Sequence, residues 1–105
     1  MAEVQTTTVS GEMTLRFVEF VQMHSQNAAF CLGRFPHPQT GKPEVNLPVA
    51  SLLIDQLAAI AYKTRGNLTT EEETVINNAL SSLRMAFVEA QQNAKKTAGE
   101  SPAGQ

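Results

Sequence analysis

The stretch Gly41–Glu73, GKPEVNLPVASLLIDQLAAIAYKTRGNLTTEEE, decides how the chain folds. Asn46 and Pro48 have the chemistry of a helix start, since an Asn side chain caps free backbone N–H groups and a proline costs nothing in the first turn. Gly66 suits the left-handed residue that closes a helix. Thr69 followed by Glu72 has the form of a capping box, in which each side chain bonds the other residue's backbone N–H. One helix over about residues 47–63, a short Thr64–Thr69 turn and a second helix over about residues 70–92 follow. So short a link makes the two helices antiparallel neighbours.

Two flanking regions complete the expected outline. Residues 12–32 form a first helix on which Phe17, Val18, Phe20, Val21, Ala28, Ala29, Cys31 and Leu32 cover about half the wheel, with Gly33 as its cap. GRFPHPQTGKPEVNLP then reads as a proline-stiffened loop, ordered by Phe35 and Val45; residues 34–46 are a place where a partner could be read, although a rigid connector is the plainer expectation. Residues 1–11 and 93–105 lack periodicity and are expected to be disordered arms around one helical domain, 12–92. The fold class expected is all-α: three helices, the last two an antiparallel hairpin, with disordered termini.

Composition narrows the function. The 105 residues fit one domain, and 42% hydrophobic content is that of a globular chain. Ten acidic and eight basic residues give a net charge of −2, with no basic face for nucleic acid. No apolar run approaches the roughly 18 residues of a membrane span, and Met1–Arg16, with its acid at Glu3, has no signal-peptide core. A single cysteine, Cys31, cannot form an internal disulfide. A cytoplasmic location is therefore expected, in which the Asn67-Leu68-Thr69 sequon is a helix cap and no more.

Few residues could carry chemistry. His24, Cys31 and His37 are spaced as H-x6-C-x5-H, which matches no structural zinc pattern and supplies three ligands at most. Cys31 lies between Phe30 and Leu32, the setting of a buried thiol. Asp55, the one Asp of the chain, stands in the middle of a highly apolar helix. It could be an acid with a raised pKa, or pair with Lys63, Arg65 or Arg84. Glu71, Glu72 and Glu73 form a solvated helix start that favours the dipole. Gly41-Lys42 lacks the spacing of a phosphate loop. No catalytic, cofactor-binding or metal residue is assigned, and no cofactor is expected; an enzyme or metal-dependent protein built on His24, Cys31, His37 and Asp55 is the alternative.

The segments QNAAFCLG (Gln26–Gly33), PQTGKPEVNL (Pro38–Leu47), IDQL (Ile54–Leu57), KTRGNLTTEEE (Lys63–Glu73) and LRMAFVE (Leu83–Glu89) together resemble a bacterial family of short helical proteins, catalogued as domain of unknown function eighteen forty-four. Five blocks in order, over about Leu15–Glu89, carry the resemblance. It implies a bacterial, cytoplasmic, helical protein, and brings no activity, cofactor or catalytic residue.

The preferred expectation is a non-catalytic interaction protein. The helix over 47–63 is apolar on about three sides and needs cover on more than one. In a three-helix monomer Phe17, Phe20, Val21, His24, Leu52, Ala59 and Tyr62 would form an interface patch. A two-fold homodimer is the common way to bury one; an unknown protein partner is a further expectation, and neither nucleic acid nor membrane is. The competing expectation is that the loop folds back over this helix, with Phe35 and Val45 as lids.

Overall fold

A computed structural model describes the backbone of residues 2–103 and the side chains of residues 10–95. Its elements are α1 (Ala2–Cys31), β1 (Leu32–Pro36), β2 (Pro43–Val45), α2 (Leu47–Lys63) and α3 (Thr70–Ala103). Three helices make up most of the chain, with a small two-stranded antiparallel sheet between the first two. The fold is therefore mostly helical and not purely all-α. The helices run on beyond the expected boundaries at residues 12 and 92. Most of the expected arms, 1–11 and 93–105, falls on residues 1–9 and 96–105, whose side chains lie outside those described.

The local signals around α2 act as their chemistry requires. The Asn46 side chain accepts from Val49 N–H at 3.2 Å, and Asn46 N–H donates to the Cys31 carbonyl at 2.7 Å, which ties the end of α1 to the start of α2. Gly66 has φ +84°, in the left-handed region. At the start of α3, Thr69 N–H donates to Glu72 Oε1 at 2.8 Å and Glu72 N–H donates to Thr69 Oγ1 at 3.1 Å: the capping box is closed in both directions.

The expected proline-stiffened loop is a β-hairpin. Leu32 pairs with Val45 and Pro36 with Pro43, with an irregularity between these pairs. Gly33 has φ +78°, the left-handed conformation expected of a cap, and is also the second residue of β1. The tip is closed by His37 N–H to the Lys42 carbonyl at 2.8 Å and Gly41 N–H to the His37 carbonyl at 2.7 Å. Phe35 and Val45 are half-exposed. The hairpin packs against α1, and through β1 against α3, so the lid expectation is corrected. Backbone pairing, not burial of those two side chains, orders the segment.

The core lies where the three helices meet. α1 contributes Val21 and Ala28, α2 Ala50, Ile54 and Leu57, α3 Ile76, Leu80, Leu83, Ala86 and Ala90, with Leu32 of β1 at one end. Near the start of α2, Ser51, Ile54 and Asp55 face Arg84, Phe87 and Val88 well along α3, the register of antiparallel neighbours. Glu72 is a second correction: it is buried, whereas Glu71 and Glu73 are exposed. Its Oε2 accepts from the Thr14 hydroxyl of α1 at 2.7 Å, so the capping glutamate also fastens α1 to α3.

Candidate functional site

The seven residues of the expected interface divide once the helices are packed. Val21, 1% exposed, is core, packed into the cluster that residues of α2 and α3 complete. It leaves the interface set. Phe17 is half-buried against the core. His24 is half-buried as well: its Nε2 donates to the Leu53 carbonyl at 2.9 Å and its ring stacks on Phe20 at 5.6 Å. These bonds use His24 inside the fold, at the α1–α2 seam. Leu52 (54% exposed), Ala59 and Tyr62 (65%) remain on the outer side of α2, with Phe20 exposed at its border.

The alternative set is dispersed. Cys31 is half-buried where α1 ends. His37 sits at the hairpin tip against Phe30, ring centroids 5.7 Å apart, and its Nδ1 accepts from Gln39 N–H at 3.1 Å. Asp55 is on α2, facing α3. His24 Nε2 already donates to a carbonyl, so that nitrogen has no lone pair for a metal; His37 Nδ1 has committed its own. Among the described residues, no three His, Cys, Asp or Glu side chains gather as metal ligands would. The structure does not bring His24, Cys31, His37 and Asp55 together.

The described residues form several concavities, and three of them lie between or beside the helices. An open groove between α1 and α3, about 580 Å³, is lined by Gln22, Ser25, Gln26, Asn78 and Ser82 with Val21, Val75 and Ala79. A second, beside Phe30 and Phe35, also meets Gln26 and Asn27. Neither lining holds an ionisable side chain. The third, about 240 Å³ between α2 and α3, has Asp55 on one wall and Arg84 on the other, with Ser51, Ile54, Phe87 and Val88 around them. Val88 of this lining is half-exposed, and Met85, next to Arg84 in sequence, is exposed. Tertiary packing sets Val88 beside Asp55 and Arg84. Arg65 is engaged elsewhere, its guanidinium 5.2 Å from the centre of the Tyr62 ring.

The described residues shift one titration clearly. The Thr14 hydroxyl, then the Thr69 backbone N–H, hold the Glu72 carboxyl below the usual carboxylate range; burial opposes them and the Thr69 hydroxyl adds a smaller push downwards. All of these partners serve the cap and the α1–α3 contact, which makes Glu72 structural.

The model of the family described as Domain of unknown function (DUF1844) matches residues 14–89. The chain belongs to this family. The matched span takes in α2, the hairpin and both walls of the α2–α3 cleft, so the candidate surface lies within the family domain. The family's description attaches no activity to it. No curated protein and no solved structure matches the chain. Among the described residues, no helix is long and apolar enough to cross a membrane.

Proposed function

We propose that this chain is a non-catalytic interaction protein of the bacterial cytoplasm that self-associates as a homodimer through the outer side of α2 and presents a protein partner with the assembled surface. The observation that supports it is the row Leu52, Ala59 and Tyr62 on the outer side of α2, still exposed after the chain has folded. The hairpin, which was the available cover, packs elsewhere. Single exposed apolar residues are ordinary, but several side by side on one face are uncommon on monomers. At about 25 cal/mol per Å², hiding ~400 Å² of apolar surface contributes about 10 kcal/mol before the costs of association are met.

Sedimentation equilibrium of the full chain at micromolar concentration tests this directly. The wild type is expected at twice 11.4 kDa, and Leu52→Glu or Tyr62→Glu at 11.4 kDa with unchanged helical circular dichroism. A wild type that stays at 11.4 kDa refutes self-association.

A further inference from the structure

Asp55 and Arg84 stand on opposite walls of the α2–α3 cleft. Among the described residues the ion pairs formed are Arg16–Glu19 and Arg34–Glu89, and these two side chains belong to neither. Both are exposed, and one turn away on each helix is an exposed apolar side chain: Leu52 before Asp55 on α2 and Val88 after Arg84 on α3. One acid and one base, level with each other across a cleft, make a surface that is complementary to itself. An isologous interface needs that property, because there residue i of one copy meets residue j of the other and j meets i.

We infer that a second copy of this chain docks on the α2–α3 face about a two-fold axis running along the cleft, so that Asp55 of each protomer pairs with Arg84 of the other. This rests on the self-association proposed above and adds its register. Rotation about that axis lays α2 of one copy antiparallel on α3 of its partner. Every adjacent pair in the resulting four-helix layer is then antiparallel, as in an up-down bundle. An axis lying across the helices instead would put Asp55 on Asp55 and Arg84 on Arg84, an arrangement that like-charge repulsion disfavours. The flanking Leu52 and Val88 would shield the two ion pairs from water, the role that near-neutral contacts take around the centre of an interface.

The test is a charge exchange read by sedimentation equilibrium, with circular dichroism confirming that each variant is folded. Asp55→Arg alone and Arg84→Asp alone each create two like-charge contacts per dimer, and each should weaken the dimer about tenfold or more, ~1.4 kcal/mol per tenfold. Mixed in equal amounts they should recover the wild-type affinity, because one protomer supplies two bases and the other two acids. If a single reversal unfolds the chain, the Asp55→Arg/Arg84→Asp double variant replaces it and should dimerise as the wild type does.

Three results overturn the inference, and they are distinguishable. Reversals without effect, while Leu52→Glu still dissociates the dimer, leave the face standing and remove the register. A mixture that stays weak while the double variant dimerises places the pair within one chain. A monomeric wild type removes the self-association itself, and the register with it.

Discussion

Replacing Gly33 by alanine should destabilise the protein more than the same change at Gly66, although the two glycines share nearly the same backbone conformation. Gly33 has φ +78° and Gly66 φ +84°. An L-residue held there costs roughly 1–2 kcal/mol. At Gly66 that is the whole effect, because a Cβ would meet nothing within 4 Å. At Gly33 the added Cβ would lie 2.9 Å from Cγ2 of Val45, closer than carbon atoms tolerate. Val45 pairs with Leu32 in the hairpin, and its branched side chain has one strongly preferred rotamer at most backbone conformations. Turning it away costs about 0.5–1.5 kcal/mol more. Urea denaturation followed at 222 nm, at one fixed protein concentration, gives both losses by linear extrapolation. The extra loss should vanish in a Val45→Ala background, so the double-mutant cycle isolates the contact. A Gly33→Ala loss no larger than that of Gly66→Ala, or a coupling to Val45 near zero, would show that the hairpin does not hold Gly33 against β2.

Other consequences can be measured on the same material. Leu57 is fully buried where the three helices meet, so Leu57→Ala should cost about 2–5 kcal/mol in the same denaturation experiment; a loss below ~1 kcal/mol would contradict its place in the core. The Glu72 carboxyl titrates lower in the fold, so its contribution is complete above the unfolded carboxyl pKa of about 4.3 and is lost as pH falls through the lower folded value. Thr14→Val should therefore destabilise at pH 7 and do so less at pH 3; an equal loss at both would mean that the Thr14 hydroxyl does not act on the charged form. Elemental analysis of protein purified without chelator should show no stoichiometric zinc or iron, and chelation should leave the melting temperature unchanged, since His24 Nε2 and His37 Nδ1 are bonded within the chain and no three ligand-type side chains gather among the described residues. A chelator-sensitive melt would restore the metal reading.

What could be read from the sequence was what is decided within a few residues. The Asn46 cap, the left-handed Gly66 and the Thr69–Glu72 box each depend on atoms no more than four positions apart, and each formed as its chemistry required. The hairpin was illegible for the opposite reason. Prolines argue against a strand because they remove a donor, yet Pro43 opens β2, where a missing N–H is least costly, and Pro36 closes β1 opposite it. Glu72 looked like one more solvated acid in a run of three because its decisive partner, Thr14, is 58 positions away. Helical periodicity likewise put Val21 on the apolar half of α1 without saying which part of that half meets the other helices.

The candidate surface follows the same division, and this bears on how it should be tested. That α2 had more apolar surface than two neighbours could cover was visible from periodicity alone, and Leu52, Ala59 and Tyr62 are exposed in the folded chain. The residue facing Asp55 was not visible: Lys63, Arg65 and Arg84 were all candidates, and packing sets Arg65 over the Tyr62 ring and Arg84 across the cleft. Apolar exposure gives a surface its affinity, whereas a matched pair of charges gives it a register. The two can be perturbed separately. Leu52→Glu removes apolar contact and, by the isologous geometry, cannot be rescued by mixing with any charge-reversed protomer. Asp55→Arg can be rescued, and only by a protomer carrying Arg84→Asp. Rescue of the second kind without rescue of the first is the pattern expected of a helical face whose leucine and tyrosine hold the dimer together and whose single aspartate fixes its orientation.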